Sequence, residues 1–226
     1  MIRRSLPSLL LAIFLITTAS GQDAEKNLVS GPQDGAALPG PCEVFNINNG
    51  DYKKRFHCLV CEYGTAPVVM IFTKEPRAGE DGVFNDLIRR LDAAMEQNQE
   101  SRLHAFAVVL SSDFRTSATE EPGKEDDKVD REKLKKDAEI RDELLKRLDD
   151  RASSMKSVVL ACTVADGPKS YNLNPKAEVT VVFYEKLKVI KNFAYPAGKM
   201  TQEDVDAIID RVEKTLKESK KRPAKK

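Results

Sequence analysis

Cys58 and Cys61 are the residues of this chain best suited to chemistry. Leu59 and Val60 separate them, and His57 precedes the first. Two thiols at this spacing can close a small disulfide ring, supply half of a tetrahedral metal site, or run thiol–disulfide exchange, because the thiolate is both the nucleophile and the metal ligand. A closed zinc site needs two further ligands. The chain has no second cysteine pair, and its only other histidine is His104, so no metal ligand and no cofactor is assigned. His57 stands before the first cysteine and not after the second, which excludes the pattern of c-type haem attachment. For exchange, Cys58 is the expected attacking thiol, with His57 beside it as a cation and Cys61 as its partner.

The elements that position this pair follow from the pattern around it. Directly after Pro67 come Val68-Val69-Met70-Ile71-Phe72, a run too short for a helix and suited to a strand covered on both faces. Upstream, Glu43 to Ile47 predicts a first strand, closed by the turn signal Asn48-Asn49-Gly50-Asp51. Downstream, Phe84, Leu87, Ile88, Leu91 and Met95 recur at helical spacing, predicting an amphipathic helix over 83–97. Leu103 to Leu110 follows as a strand, with His104 at its end and not as a ligand. A long charged helix is predicted over 130–151, with Leu134, Ala138, Leu145 and Leu148 facing inward. Ser157 to Thr163 makes another strand, in which Cys162 reads as a buried thiol. Val179 to Tyr184 and Leu187 to Ala194 predict a β-hairpin. A capping box at Thr201 and Asp204 then opens a helix with Val205, Ile208, Ile209, Val212 and Leu216 on one face.

Domain organisation reads as four parts. Residues 1–22 have the form of a signal peptide: Arg3 and Arg4, an apolar stretch from Leu9 to Ile16, and Ala19-Ser20-Gly21 as the cleavage site. Export to the periplasm or the exterior is therefore expected, without a stable membrane anchor. Residues 23–41, rich in Gly, Pro and Asp, read as a disordered linker. The domain occupies 42–217, and the basic stretch 218–226 reads as a disordered tail. Loss of Arg3 and Arg4 takes the basic count from 37 to 35 against 36 acidic residues, a balance that gives nucleic acid no basic surface to bind. The acidic stretch 111–128 lacks the alternating ligands and central glycine of an EF-type loop. A nucleophile elbow, a phosphate-binding loop and a dinucleotide fingerprint are all absent from the sequence.

Three motifs carry a resemblance. Val44-Phe45-Asn46-Ile47 resembles the leading strand of the thioredoxin-like superfamily on its peroxiredoxin and TlpA-like side, Tyr63-Gly64-Thr65-Ala66-Pro67-Val68-Val69 resembles its entry into the central strand, and Tyr171-Asn172-Leu173 resembles the step before its hairpin. The C-x-x-C-x-Y-G order from Cys58 to Gly64 is also similar to that of small exported bacterial proteins. The resemblance spans Cys42 to Leu216 and implies an α/β fold: a mixed sheet with flanking helices, a C-terminal β-hairpin and a final helix. It departs from the family where the chemistry lies. In thioredoxins the C-x-x-C follows the central strand and opens the next helix. Here the pair precedes the strand, and the family position reads Thr73-Lys74-Glu75-Pro76-Arg77-Ala78-Gly79. A peroxidatic cysteine would belong in that loop, so peroxidase activity is not expected. Ala177-Glu178 stand where the family carries its cis-proline.

Three readings stay open at this level. In the first, a binding or scaffold domain carries a structural or weakly active Cys58–Cys61 disulfide. In the second, Cys58 and Cys61 act as a thiol–disulfide oxidoreductase on a protein thiol or disulfide client. The third is a metal-binding role. Because the pair precedes the strand, Cys58 is expected to lack a helix N-terminus and to keep a pKa near that of a free cysteine.

Overall fold

The computed structural model describes residues 28–75, 82–114 and 131–221. Residues 1–27, with the expected signal peptide, residues 76–81, the acidic stretch from 115 to 130 and residues 222–226 lie outside the described residues. Seven strands form one mixed sheet, in the order β2-β1-β5-β4-β3-β6-β7. They are β1 (Glu43–Asn46), β2 (Phe56–Cys58), β3 (Val68–Lys74), β4 (His104–Ser111), β5 (Val159–Val164), β6 (Ala177–Glu185) and β7 (Lys188–Pro196). The helices are α1 (Leu59–Tyr63), α2 (Gly82–Gln97), α3 (Arg131–Ala152) and α4 (Gln202–Lys221). β3, β4 and β5 run parallel, with Met70 opposite Phe106 and Phe106 opposite Val159. β6 and β1 flank them antiparallel.

The apolar run after Pro67 is β3, buried on both faces from Val68 to Thr73. Its alternating side chains divide the core. Val69 and Ile71 point into one half with Phe84, Leu87, Leu91, Leu144, Leu148, Ile208 and Val212. Val68, Met70 and Phe72 point into the other, with Cys42, Leu59, Phe106, Tyr171 and Tyr184. The chain steps from β3 through α2 to β4 and through α3 to β5 in one direction across the sheet, and right-handed crossovers then put both helices on one face. α4 joins them there: Gln202 Nε2 donates to Asp86 at 2.7 Å, and Arg90 pairs with Asp206. The three long helices therefore share one face, where a helix layer on each face was expected.

The second face is closed by α1, by Tyr171 and Leu173, and by a strap from residue 28 to residue 41. This corrects the reading of 23–41 as linker for the described part, 28–41. Ser30 is fully buried with its hydroxyl 2.7 Å from that of Thr180. Asn192 donates its backbone N–H to Asp34 at 2.7 Å, and Lys191 pairs with the same carboxylate at 2.7 Å. The backbone pairs of Gly35 and Ala36 with Val189, and of Leu38 with Leu187, fix the strap along β7. Gly31 sits at φ 73°, where a Cβ would meet the Thr180 methyl at 3.3 Å, so the closest approach needs a glycine.

Two further corrections concern the helices. α3 buries Leu144, Leu148 and Ala152, whereas Leu134 is exposed and Leu145 only half-buried. α4 continues to Lys221, so residues 218–221 are helical and not tail. Its start is as expected: Asp204 accepts the Thr201 N–H at 2.8 Å and donates its own N–H to the Thr201 hydroxyl at 3.4 Å. Among the described residues no helix is long and apolar enough to cross a membrane.

Candidate functional site

The hairpin β1–β2 places Val44 opposite His57 and Glu43 opposite Cys58. The sequence reading missed β2, whose residues Phe56-His57-Cys58 are too few and too polar to stand out. α1 begins at Leu59 and lasts one turn, ended by Gly64 at φ 54°. Leu59 and Val60 are buried in the second core half, and this anchors the turn from inside. The alternation then leaves Cys61 exposed and Cys58 half-buried.

Cys58 and Cys61 form a disulfide, with their Cα atoms 5.2 Å apart. Cys58 is the N-cap of α1, and its sulfur accepts the backbone N–H of Cys61 at 3.1 Å. The expectation that Cys58 has no helix N-terminus is therefore corrected: one donor meets its sulfur, although a single turn aligns few peptide dipoles. Cys58 is the expected attacking thiol; of the two residues, Cys61 is the more exposed.

His57 does not stand free beside Cys58. Its ring stacks on Tyr52, centroids 3.5 Å apart, and its Nε2 lies 3.0 Å from a carboxylate oxygen of Glu62. That contact does not meet hydrogen-bond geometry. Glu62 also accepts the side-chain amide of Asn49 at 3.0 Å. Sequence reasoning passed over Glu62; its place directly after Cys61, in a chain with two histidines, was the available signal. Beyond it, the Tyr63 ring stacks on His104 at 4.2 Å. Burial, with the Glu62 charge adding, raises the Tyr63 phenol pKa. Burial also holds the His104 imidazole below its ordinary value; Glu62 opposes this and Arg102 adds to it. His104 opens β4 and donates its backbone N–H to Pro67 at 3.0 Å, in keeping with a strand-end position. Glu62 thus joins Asn49 and His57, and Tyr63 joins His104 at the start of β4.

The opposite end of β3 and β4 holds a different arrangement. Arg147 of α3 pairs with Glu75 at 2.9 Å and with Asp113 at 3.5 Å, and Ser111 donates to Glu75 at 3.4 Å. Here thioredoxins place their cysteines. The other two thiols of this chain are buried: burial pushes Cys42 up to about 12, and burial, then the charge of Glu75, raises Cys162. Thiols so protonated and enclosed are inert. Among the described residues no group of three or more His, Cys, Asp or Glu is placed to hold a metal ion.

No protein-family model and no curated protein matches the chain. Solved structures do match. One is a candidate protein disulfide isomerase from Bacteroides thetaiotaomicron, at 13% identity and TM-score 0.53, over 85% of this chain and 97% of that one. Another is the reduced 2-Cys peroxiredoxin of Plasmodium vivax, at 14% identity and TM-score 0.52, over 86% and 89%. With the strand order and the C-terminal hairpin and helix, these likenesses establish the fold.

Proposed function

From a thioredoxin-like fold that carries a Cys58–Cys61 disulfide, we propose thiol–disulfide exchange with a protein client, with Cys61 as the sulfur through which the client enters. The exposure of Cys61 on a turn held by other means carries this reading. Buried Leu59 and Val60 and the Asn49–Glu62–His57 contacts already fix the turn. Closing so short a loop removes only about 2 kcal/mol of chain entropy from the unfolded state, against about 4.7 for a 100-residue loop. As a staple the bond would do little; as a reagent it is well placed.

The step balances as follows. A client thiolate attacks the Cys61 sulfur, forming a client–Cys61 disulfide. The Cys58–Cys61 bond breaks, and its electron pair leaves on Cys58, where the Cys61 N–H stabilises the thiolate. A second client thiolate then attacks the client sulfur of the mixed disulfide, releasing Cys61. The client is oxidised by two electrons and the pair reduced; a disulfide of the surroundings reoxidises it. The leader-like residues 1–22 support placing this chemistry in an exported compartment, where such a disulfide persists.

The test is equilibration of the full chain in glutathione buffers of graded potential, with the state of the pair read by alkylation and mass. Exchange predicts a pair that follows the buffer reversibly. A pair that stays oxidised throughout would refute it and leave a binding domain with a pinned loop.

A further inference from the structure

The turn between β1 and β2 grips both sides of the cysteine pair. Asn49 donates its side-chain amide to Glu62 at 3.0 Å, and Glu62 directly follows Cys61. Tyr52 stacks its ring on His57, with centroids 3.5 Å apart and planes 7° from parallel, and His57 directly precedes Cys58. The gripped residues also meet each other, His57 Nε2 lying 3.0 Å from a Glu62 oxygen. None of these contacts involves a sulfur, so none depends on the disulfide being closed.

The gripping turn is itself fixed. A single 3-10 turn over Gly50–Tyr52 sets the spacing of Asn49 and Tyr52, the Tyr52 N–H donating to the Asn49 carbonyl at 2.7 Å. Behind it, Asn48 ties the turn to β5: its amide donates to the Val158 carbonyl at 3.2 Å, and its oxygen accepts the Leu160 N–H at 2.7 Å. A continuous path therefore runs from the sheet to the two residues that flank the cysteines. The Asn49 side chain makes no capping bond within the turn, and Tyr52 is 37% exposed, so the hairpin itself rests on neither side chain.

We infer that Asn49 and Tyr52 are positioning residues that set the reduction potential of the Cys58–Cys61 pair, by keeping the two thiols of its reduced form within closing reach. The inference rests on the exchange reading and concerns the redox poise of that same site. Thiols held together close at a higher effective concentration than thiols on a free chain. The grip therefore favours the disulfide and lowers the potential.

The experiment equilibrates the full chain in glutathione buffers of graded potential and reads the reduced fraction by alkylation and mass. Two glutathione thiols pass two electrons and two protons to the pair and leave as glutathione disulfide, while Cys58 and Cys61 become thiols. Asn49→Ala and Tyr52→Ala each make the pair about fivefold easier to reduce, a rise of about 20 mV for a two-electron couple. Because releasing one side already frees the pair, the double variant shifts little beyond either single one. Tyr52→Phe keeps the ring and the wild-type potential. Lys53→Ala, which breaks the Lys53–Asp149 pair on the same hairpin, keeps it too. If Asn49→Ala folds poorly, the Tyr52 variants and Lys53→Ala decide alone. Unchanged potentials in Asn49→Ala and Tyr52→Ala, or an equal shift in Lys53→Ala, overturn the grip and leave exchange standing. A wild-type pair that stays oxidised in every buffer overturns both.

Discussion

On the β1–β2 hairpin and α1, a disulfide stands beside His57 and Glu62. Where β3 and β4 end, Glu75, Arg147, Asp113 and Ser111 are bound to one another at a point where thioredoxins carry cysteines. The difference shows that the fold supplies a rigid frame, and that the side chains at each end decide whether chemistry occurs there. In this chain the disulfide is set on an edge hairpin and a one-turn helix, and the usual end of the frame is occupied by ion pairs.

The largest expected effect separates the two ends by activity. Cys61→Ser reduces exchange to the uncatalysed background, whereas Arg147→Ala leaves the rate unchanged; thiol release against a peptide thiol measures both. The serine variant loses no more than about 2 kcal/mol of stability. Equal loss of exchange from Arg147→Ala would mean that the far end takes part.

Stability gives the next contrast. Asp92 holds three backbone N–H groups between α2 and the start of β5, and Asp92→Ala leaves them without a partner, at a cost of about 3 kcal/mol by urea unfolding. At the other end, Arg147→Ala breaks partly exposed ion pairs and costs less than about 1 kcal/mol in the same assay.

The smallest effect is in pH. His104 has its pKa lowered from 6.5 by burial, so the unfolded chain binds its proton first. Stability is full above about 6.5 and declines as pH falls from there toward the lowered folded value. His104→Phe removes this part of the slope; the unfolding midpoint at several pH values, wild type against variant, checks it.

Elements that bury a periodic face were legible in the sequence. β3 is a continuous apolar run, and α4 shows all its inward apolar residues, Val205, Ile208, Ile209, Val212 and Leu216; buried Thr215 alone breaks the pattern. The strap 28–41 was not legible, because it is held by backbone pairs and by Ser30, Asp34 and Asn192, which leave no apolar period. Nor was α1: a helix of one turn has no period to detect. The hairpin was legible from its two alternating strands, although its turn, on Lys186 and Leu187 at φ 53° and 60°, lacks the usual Asn-Gly signal. In α3 the row through Leu134, Ala138 and Leu145 looked as apolar as the buried one through Leu144, and only Leu148 of the expected face is buried. For the site, the cysteine pair and its place before the strand were readable. Which sulfur faces outward was not, since that depends on Leu59 and Val60 turning inward.

Oxidised protein reacted with a single-cysteine client peptide, quenched with acid, alkylated and digested, reports which cysteine carries the mixed disulfide. The account predicts the peptide on Cys61 and the alkyl group on Cys58. The peptide on Cys58, or on neither cysteine, would contradict it.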